Sequence, residues 1–395
     1  MTAQNSAAIV IAAGLGISVS TPSGSDEAVS TWVSAVVADL RQHSGAGLVI
    51  AGDQQPAAVH ALAHAMNDIL DNTGKTVTYT DSIEVQPTNQ TDSMKTLVQD
   101  MTDGKVDLLF VINSNPGFSK PADLDFAQAM DNVKLRVHHG LYHDETAELC
   151  HWHIPQNHYL ENWSDIRAFD GTVTIVQPMI APLYGGKSAH DLLDTMVGKP
   201  SKSALGTVRE YWRSQHPDGF EAFWRESLHN GLVAGTAFAP AAVELSADWV
   251  SALTDADKGP KANPGTLEIN FRSDPTIGDG RHANNGWLQE LPKPLSKLTW
   301  DNAVLISPTT AQKHSLENEM VVELLYKDRT LKAPVWQVPG HADDSITLYL
   351  GGGQDFGGQV AKGAGCNANL IRTSSAPDFD LGLKVVRTNE RYPLA

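Results

Sequence analysis

The sequence predicts an α/β fold, a mainly parallel sheet with helices on both faces, followed by a separate small β domain. Two observations carry this. From Asp26 to Pro178, segments with helical apolar spacing alternate with short runs rich in Val, Ile and Leu. After Asn284 the pattern changes to short strands separated by turn residues, as expected of a barrel.

The apolar run Ala7 to Val19 is too short to span a bilayer and lacks the basic residues that precede a secretory leader. It reads as a buried strand or an ordered N-terminal arm. Asp26 to Arg41 places Val29, Trp32, Val33, Val36, Val37 and Leu40 at helical spacing. Leu48 to Gly52 reads as a fully buried strand ending in a glycine turn, and Pro56 to Leu70 as a helix. Lys75 to Tyr79, Val106 to Ile112 and Lys134 to His139 are the next strands, with helices at Met94 to Met101 and Asp125 to Met130 between them. Gly171 to Pro178 is expected to add a fifth or sixth strand.

Sites in parallel α/β sheets lie at the carboxyl ends of strands. That expectation places Gly52-Asp53, Asn113 to Pro116 and His138 to Gly140 along one edge. Ala189 to Gly231 is helical and carries Trp212 and Trp224. Ala234 to Ile277 reads as connector and edge structure with one strand, Thr266 to Arg272. Asn302 to Pro308, Glu319 to Tyr326, Leu331 to Val338 and Ser345 to Leu350 supply the strands of the β domain. The expected domains are an N-terminal arm (1–25), an α/β domain (26–233), a connector (234–284) and a barrel (285–395).

Composition excludes several function classes. The chain of 395 residues has a formal net charge of −17 and no Lys/Arg block, which argues against a nucleic-acid partner and against a polybasic membrane anchor. The two cysteines, Cys150 and Cys366, form no CxxC, so thiolate-bound zinc or an iron–sulfur cluster is not expected within it. Two free thiols are the expected state. Neither GxxxxGK[ST], GxGxxG nor GxSxG occurs. No acid–base pair stands out, so no catalytic residue is nominated.

Six of the fifteen histidines fall between His138 and His158. Imidazole is the commonest metal ligand. If residues 151–154 are extended, His151 and His153 point the same way, and His139 and His143 could complete a zinc or copper site with Asp144 or Glu145. The competing reading is that each histidine caps a turn or bonds a buried carbonyl. The glycine-rich stretch 351–365, beginning Gly351, Gly352, Gly353, allows close approach by a ligand or by another strand of the same barrel.

The segments LVIAGDQQP, FVINSNPGFSKPADLDF, DETAELCHWHIPQNHYLE and GGKSAHDLLDTM, in this order, resemble the second α/β domain of the molybdopterin oxidoreductase (dimethyl-sulfoxide-reductase) family. Residues 302–340 are similar to that family's pterin-dinucleotide domain. The resemblance implies a Rossmann-like parallel sheet followed by a double-psi β-barrel. CHWHIP, IAPLYGGKSAHDLL and NNGWLQELPKPLSKLTWDNA resemble, more narrowly, the B subunit of bacterial alternative complex III, a quinol-oxidising respiratory assembly.

Departures accompany the match. The family's CxxCxxxC motif is absent, as is the domain supplying a molybdenum ligand, and Cys150-His151 stands where the family has Ala-Asp. The chain therefore reads as an internal piece of a longer subunit or a reduced relative of it. The resemblance implies a cofactor-less structural part of an electron-transfer complex on the periplasmic side of a bacterial membrane, beside iron–sulfur and cytochrome subunits and not itself inserted. The alternative is a fragment binding molybdopterin guanine dinucleotide through Asn113, Ser114, Asn115 and Gly351, Gly352, Gly353. A third reading is a metal-binding module built on His139, His143, His151 and His153.

Overall fold

The computed structural model describes residues 3–21, 27–200, 202–246, 249 and 265–395. The centre of the expected connector, 250–264, lies outside the described residues. By contacts the chain resolves into two compact units, one of residues 1–85, 167–173 and 233–261, the other of 86–166, 174–232 and 262–395.

The first unit is built on helices α1 (Ala3–Leu15), α2 (Glu27–Gln42) and α3 (Ala57–Ile69). The stretch expected to be a strand or arm is thus a helix. Its run is apolar all round, and uniform hydrophobicity cannot distinguish a buried helix from a strand. Ile9, Ala12 and Leu15 form its inner stripe and pack with Val33, Val37, Leu62 and Met66. Gly14 permits the close crossing, since a Cβ there would sit 2.8 Å from Val37 Cγ2.

Leu48 to Gly52 is not a buried strand. The segment is extended but pairs with no strand, and Ile50 is 74% exposed. Its backbone is held by a side chain: the buried Asn67 amide accepts from Val49 N (2.9 Å) and donates to Val49 O (2.7 Å), imitating a neighbouring strand. Lys75 to Tyr79 likewise forms no strand, only an isolated bridge between Thr73 and Val77. A sheet needs partners, and the apolar pattern of one segment does not reveal whether a partner exists.

In the second unit, α4 (Gln90–Thr102) precedes β1 (Leu108–Ile112), the short helices α5 (Pro116–Ser119) and α6 (Phe126–Met130), and β2 (Leu135–Gly140). Then come α7 (Glu145–Glu148) and β3 (Trp152–Pro155). The three strands form a parallel sheet in the order β1-β2-β3. Met101, Phe126, Met130 and Val133 pack against its Leu109 and Val111. The segment expected to extend this sheet, β5 (Val173–Val176), instead joins β4 (Ser164–Arg167) in a separate two-stranded sheet. Helices α8 (Ala189–Met196), α9 (Ala204–Gln215) and α10 (Phe220–Asn230) follow as expected.

The β domain is a closed six-stranded barrel. Its strands are β6 (Leu267–Arg272), β7 (Val304–Ile306), β8 (Met320–Tyr326), β9 (Arg329–Gln337), β10 (Ser345–Tyr349) and β11 (Phe379–Arg391), in the order β10-β6-β11-β8-β9-β7. The pairs β6–β10 and β7–β9 are parallel; the remaining four neighbours are antiparallel. β6, read from sequence as edge structure, is a barrel stave, and Ile269, Phe271, Val304, Ile306, Val322, Leu324, Ile346, Leu348 and Leu383 fill the interior. β11 was not expected. It passes from β6 to β8 through a register shift at Leu381/Leu383, where Gly382 takes a φ of +99° that a residue with a Cβ rarely adopts. Among the described residues no helix is long and apolar enough to cross a membrane.

Ile346→Ala, which empties a fully buried barrel position, is expected to cost about 2–5 kcal/mol. Ile50→Ser should change stability by no more than about 0.5 kcal/mol, because no sheet covers that side chain. Denaturant melts of the two variants check both; a large loss in the second would restore the buried strand.

Candidate functional site

The carboxyl ends of β1, β2 and β3 open on a cavity of about 540 Å³. Asn113, Ser114 and Asn115 line it after β1, His138 and Gly140 at the end of β2, and Gln156, Asn157 and Tyr159 after β3. The barrel side contributes Asp279, Arg281, His282, Asn285, Gln354 and Gly357. Gly52-Asp53 belong to the other unit and follow no strand, so the edge expected from the sequence is built from the remaining two segments.

One carboxylate ties the layers together. Glu145 Oε2 accepts from Asn115 Nδ2 (2.8 Å), and Oε1 accepts from the backbone N–H groups of Asp355 (2.9 Å) and Phe356 (3.1 Å). Asn115 Oδ1 in turn accepts from Thr146 N and Thr146 Oγ1, and Thr146 Oγ1 accepts from Gly117 N. Gly117 must lack a side chain, because a Cβ would lie 2.9 Å from backbone atoms of Glu145 and Thr146. Residues 115–117 and 145–147 are therefore one interlocked unit. Asn115, expected to grip a ligand, spends its amide on this clamp.

The glycines expected to cradle a ligand meet the chain itself. A Cβ on Gly351 would strike the backbone of 278–280, one on Gly352 the Asn302 amide, and one on Gly353 the backbone of Cys366 and Asn367. Close approach is required here, by other parts of the same β domain.

The register sets the histidines. His138 of β2 lies opposite His153 of β3, and their Nδ1 atoms are 3.0 Å apart. One ring must donate and the other accept. His143 meets His153 edge-on, with ring centroids 5.3 Å apart, and pairs with Glu148 at 3.2 Å. His138 Nε2 is 3.7 Å from Asp144 Oδ1, too far for a hydrogen bond. Gly140 makes room for the His138 ring, which would lie 2.6 Å from a Cβ there.

Strand alternation turns His139 to the opposite face, where Nε2 bonds Lys187 O at 3.0 Å. His151 precedes β3 and folds onto Arg136, accepting from its backbone N–H at 3.0 Å. Of the four candidate ligands, then, His143 and His153 come together, and the residue joining them is His138. Among the described residues no group of three or more His, Cys, Asp or Glu side chains converges to hold a metal ion. Both cysteines are free thiols, and burial pushes that of Cys366 up to about 12, which leaves it unreactive.

Burial acts in opposite senses on the two kinds of acid. Desolvation raises Asp144 from 3.8 to about 6, although it caps α7 by accepting from Thr146 N and Ala147 N. Desolvation, with the neighbouring imidazoles, lowers His153 from 6.5 to about 4, and burial lowers His138 and His139 as well.

Two outcomes are expected. Glu145→Ala, which strips an acceptor from three donors, should cost about 3 kcal/mol in a denaturant melt. For pH, a carboxyl whose pKa is raised on folding costs stability as pH rises from about 4 to 6. Histidines whose pKa is lowered add stability as pH rises from about 4 to 6.5, so the two slopes oppose each other. Asp144→Asn keeps the cap and removes the first slope. Its stability should therefore climb more steeply than the parent's between those limits.

No protein-family model matches this chain, and no curated protein sequence matches it. Among solved structures, it is similar to acetylene hydratase from Pelobacter acetylenicus, with a TM-score of 0.52 and 15% sequence identity. The match covers 75% of this chain and 46% of that one, so the chain spans less than half the length of the protein it resembles. At that identity the likeness is one of fold.

Proposed function

We propose that this chain is a structural and docking part of a molybdopterin-type oxidoreductase assembly and holds no pterin cofactor of its own. The fold likeness to acetylene hydratase, an enzyme of the molybdopterin (dimethyl-sulfoxide-reductase) family, supports the oxidoreductase ancestry. The two parallel pairs of the barrel, β6–β10 and β7–β9, support reading it as double-psi, and the parallel order β1-β2-β3 supports reading the sheet as Rossmann-like.

The observation that carries the cofactor-free reading is the charge of the cavity. A dinucleotide brings a pyrophosphate, which needs cations or free backbone N–H groups. Here the lining offers two carboxylates, Asp144 and Asp279, against one guanidinium, Arg281. That guanidinium is already neutralised by a neighbour: Nε and Nη2 reach the two oxygens of Asp279 at 2.9 and 2.8 Å. The glycines that might have formed a cradle are filled by the chain's own atoms. The residues present do not fit a pterin dinucleotide.

The assembly we favour is the quinol-oxidising respiratory complex that residues 150–155, 180–193 and 284–303 resemble, with iron–sulfur and cytochrome subunits as partners on the periplasmic side. An exposed apolar stretch suits a docking role. Tyr159, Leu160, Met179, Ile180, Leu183 and Tyr184 are all exposed; Met179 and Ile180 donate their backbone N–H groups to Leu160 O, and Leu183 donates its own to Glu161 Oε1. The second reading, a dinucleotide-binding oxidoreductase fragment, rests on Asn113 and Ser114 facing the cavity.

The test is elemental and pterin analysis of untagged chain made in cells that synthesise the cofactor. No molybdenum, no tungsten and no pterin fluorescence after acid oxidation are expected. Stoichiometric metal with pterin would overturn the reading in favour of the second. Stoichiometric zinc or copper, lost in a His138→Ala, His153→Ala double variant, would make the histidine cluster a metal site instead.

A further inference from the structure

An extended segment of the first unit has one satisfied edge and one open edge. In an extended chain the N–H and C=O groups of successive residues point to alternate sides. On one side of residues 47–51, Val49 N and O meet the Asn67 amide, and Gly47 O accepts from Thr76 Oγ1 at 2.6 Å. The other side carries the N–H and C=O of Leu48 and Ile50. These four groups make no hydrogen bond among the described residues. Asn67 thus holds the segment in the shape of a strand while leaving its second edge unpaired.

Edge strands are usually guarded against pairing by charges or prolines. Residues 45–52, GAGLVIAG, hold neither. Leu48 to Ala51 also wall an apolar cavity of about 360 Å³, shared with Ile11, Leu40 and Met66, whose lining has no polar side chain. Four backbone groups in a row call for an extended chain, and the apolar flanks call for uncharged side chains. The segment meets both demands itself. Laid antiparallel to a second copy about Val49, Leu48 faces the partner's Ile50, and each such pair exchanges two N–H···O bonds. All four open groups of each copy are then satisfied. A slip of two residues breaks this match. It sets Ile50 against the partner's Ala46, whose N–H already bonds His43 O, or Leu48 against the partner's Gly52, whose C=O already accepts from Gln55 N.

We propose that Leu48–Ala51 is a self-association edge through which two copies of this chain pair antiparallel, with Val49 opposite the partner's Val49 on the twofold axis. No like charges meet in this register; the first charged residue, Asp53, falls opposite the partner's Gly45. The partner's apolar side chains come to lie beside the wall of the cavity. So short an interface belongs to the weak, reversible class. Two chains of net charge −17 also repel each other, so salt strengthens the pairing. The apolar stretch assigned to docking above lies in the other unit, so the two surfaces are separate.

Sedimentation velocity of the whole chain at about 0.3 M salt, where charge repulsion is screened, tests it. A reversible dimer with a dissociation constant on the order of 100 µM is expected. Ile50→Lys, at a side chain 74% exposed, should weaken association by about tenfold or more and leave the thermal melt unchanged. Cysteine cross-linking reads the register. In Val49→Cys the two thiols face each other as a non-hydrogen-bonded pair with Cα atoms about 4.5 Å apart, within disulfide reach. In Ile50→Cys they sit diagonally, about 8 Å apart, beyond it. Mild oxidation should link the first variant into dimers and not the second, with the parent's free Cys150 and Cys366 as the blank. Exposure alone gives the reverse order, because Ile50 is exposed and Val49 only partly so. A monomer at every concentration up to about 1 mM overturns the proposal. So does association unmoved by Ile50→Lys, or cross-linking faster at 50 than at 49. None of these results bears on the cofactor analysis, so the two proposals fail separately.

Discussion

The Glu145 carboxylate is the contact on which the second unit's architecture turns. It joins the end of β1, the start of α7 and the 355–356 loop of the barrel side with three charge-assisted hydrogen bonds. Because Asn115 and Thr146 complete the same network, the Asn-Pro-Gly and Glu-Thr-Ala segments are two halves of one joint rather than two motifs. The cavity follows from it. The clamp fixes the distance between the strand ends and the barrel loops, and the lining groups are what remains in the gap. Asn115 lines the cavity and at the same time gives its amide to the clamp.

Beside the clamp, burial pushes Asp144, His138 and the half-buried His153 toward their neutral forms. Desolvation makes charge costly for all of them, so it holds the carboxyl partly protonated near pH 6 and the imidazoles neutral. The crowding of histidines in sequence splits into distinct structural tasks. His139 anchors a carbonyl of the 187 segment, His151 braces Arg136, and only His138, His143 and His153 share a neighbourhood.

Fold and chemistry separate in this protein. The chain is similar in fold to part of a longer protein, while the cavity at the strand ends carries two carboxylates and a guanidinium that is paired internally. A fold is held by apolar burial and backbone pairing, which tolerate such changes at a rim. Ligand preference is decided by a few charges there. The acidic balance of the whole chain, at −17, runs in the same direction as the cavity.

The sequence by itself determined the α/β class, the positions of β1, β2 and the helices α2, α3, α4 and α6, and four staves of the barrel. Those readings rest on local period and turn chemistry, which are written along the chain. Tertiary structure decided the rest. Whether Leu48–Gly52 found a strand partner depended on Asn67, eighteen residues away. That β11 crosses from β6 to β8 depended on a bend at Gly382 and on two strands distant in sequence. That His153 faces His138, and that Asp279 occupies the fork of Arg281, are matters of register and rotamer. Pairing, burial and charge compensation are properties of neighbours in space, and a linear pattern names the residues without naming their neighbours.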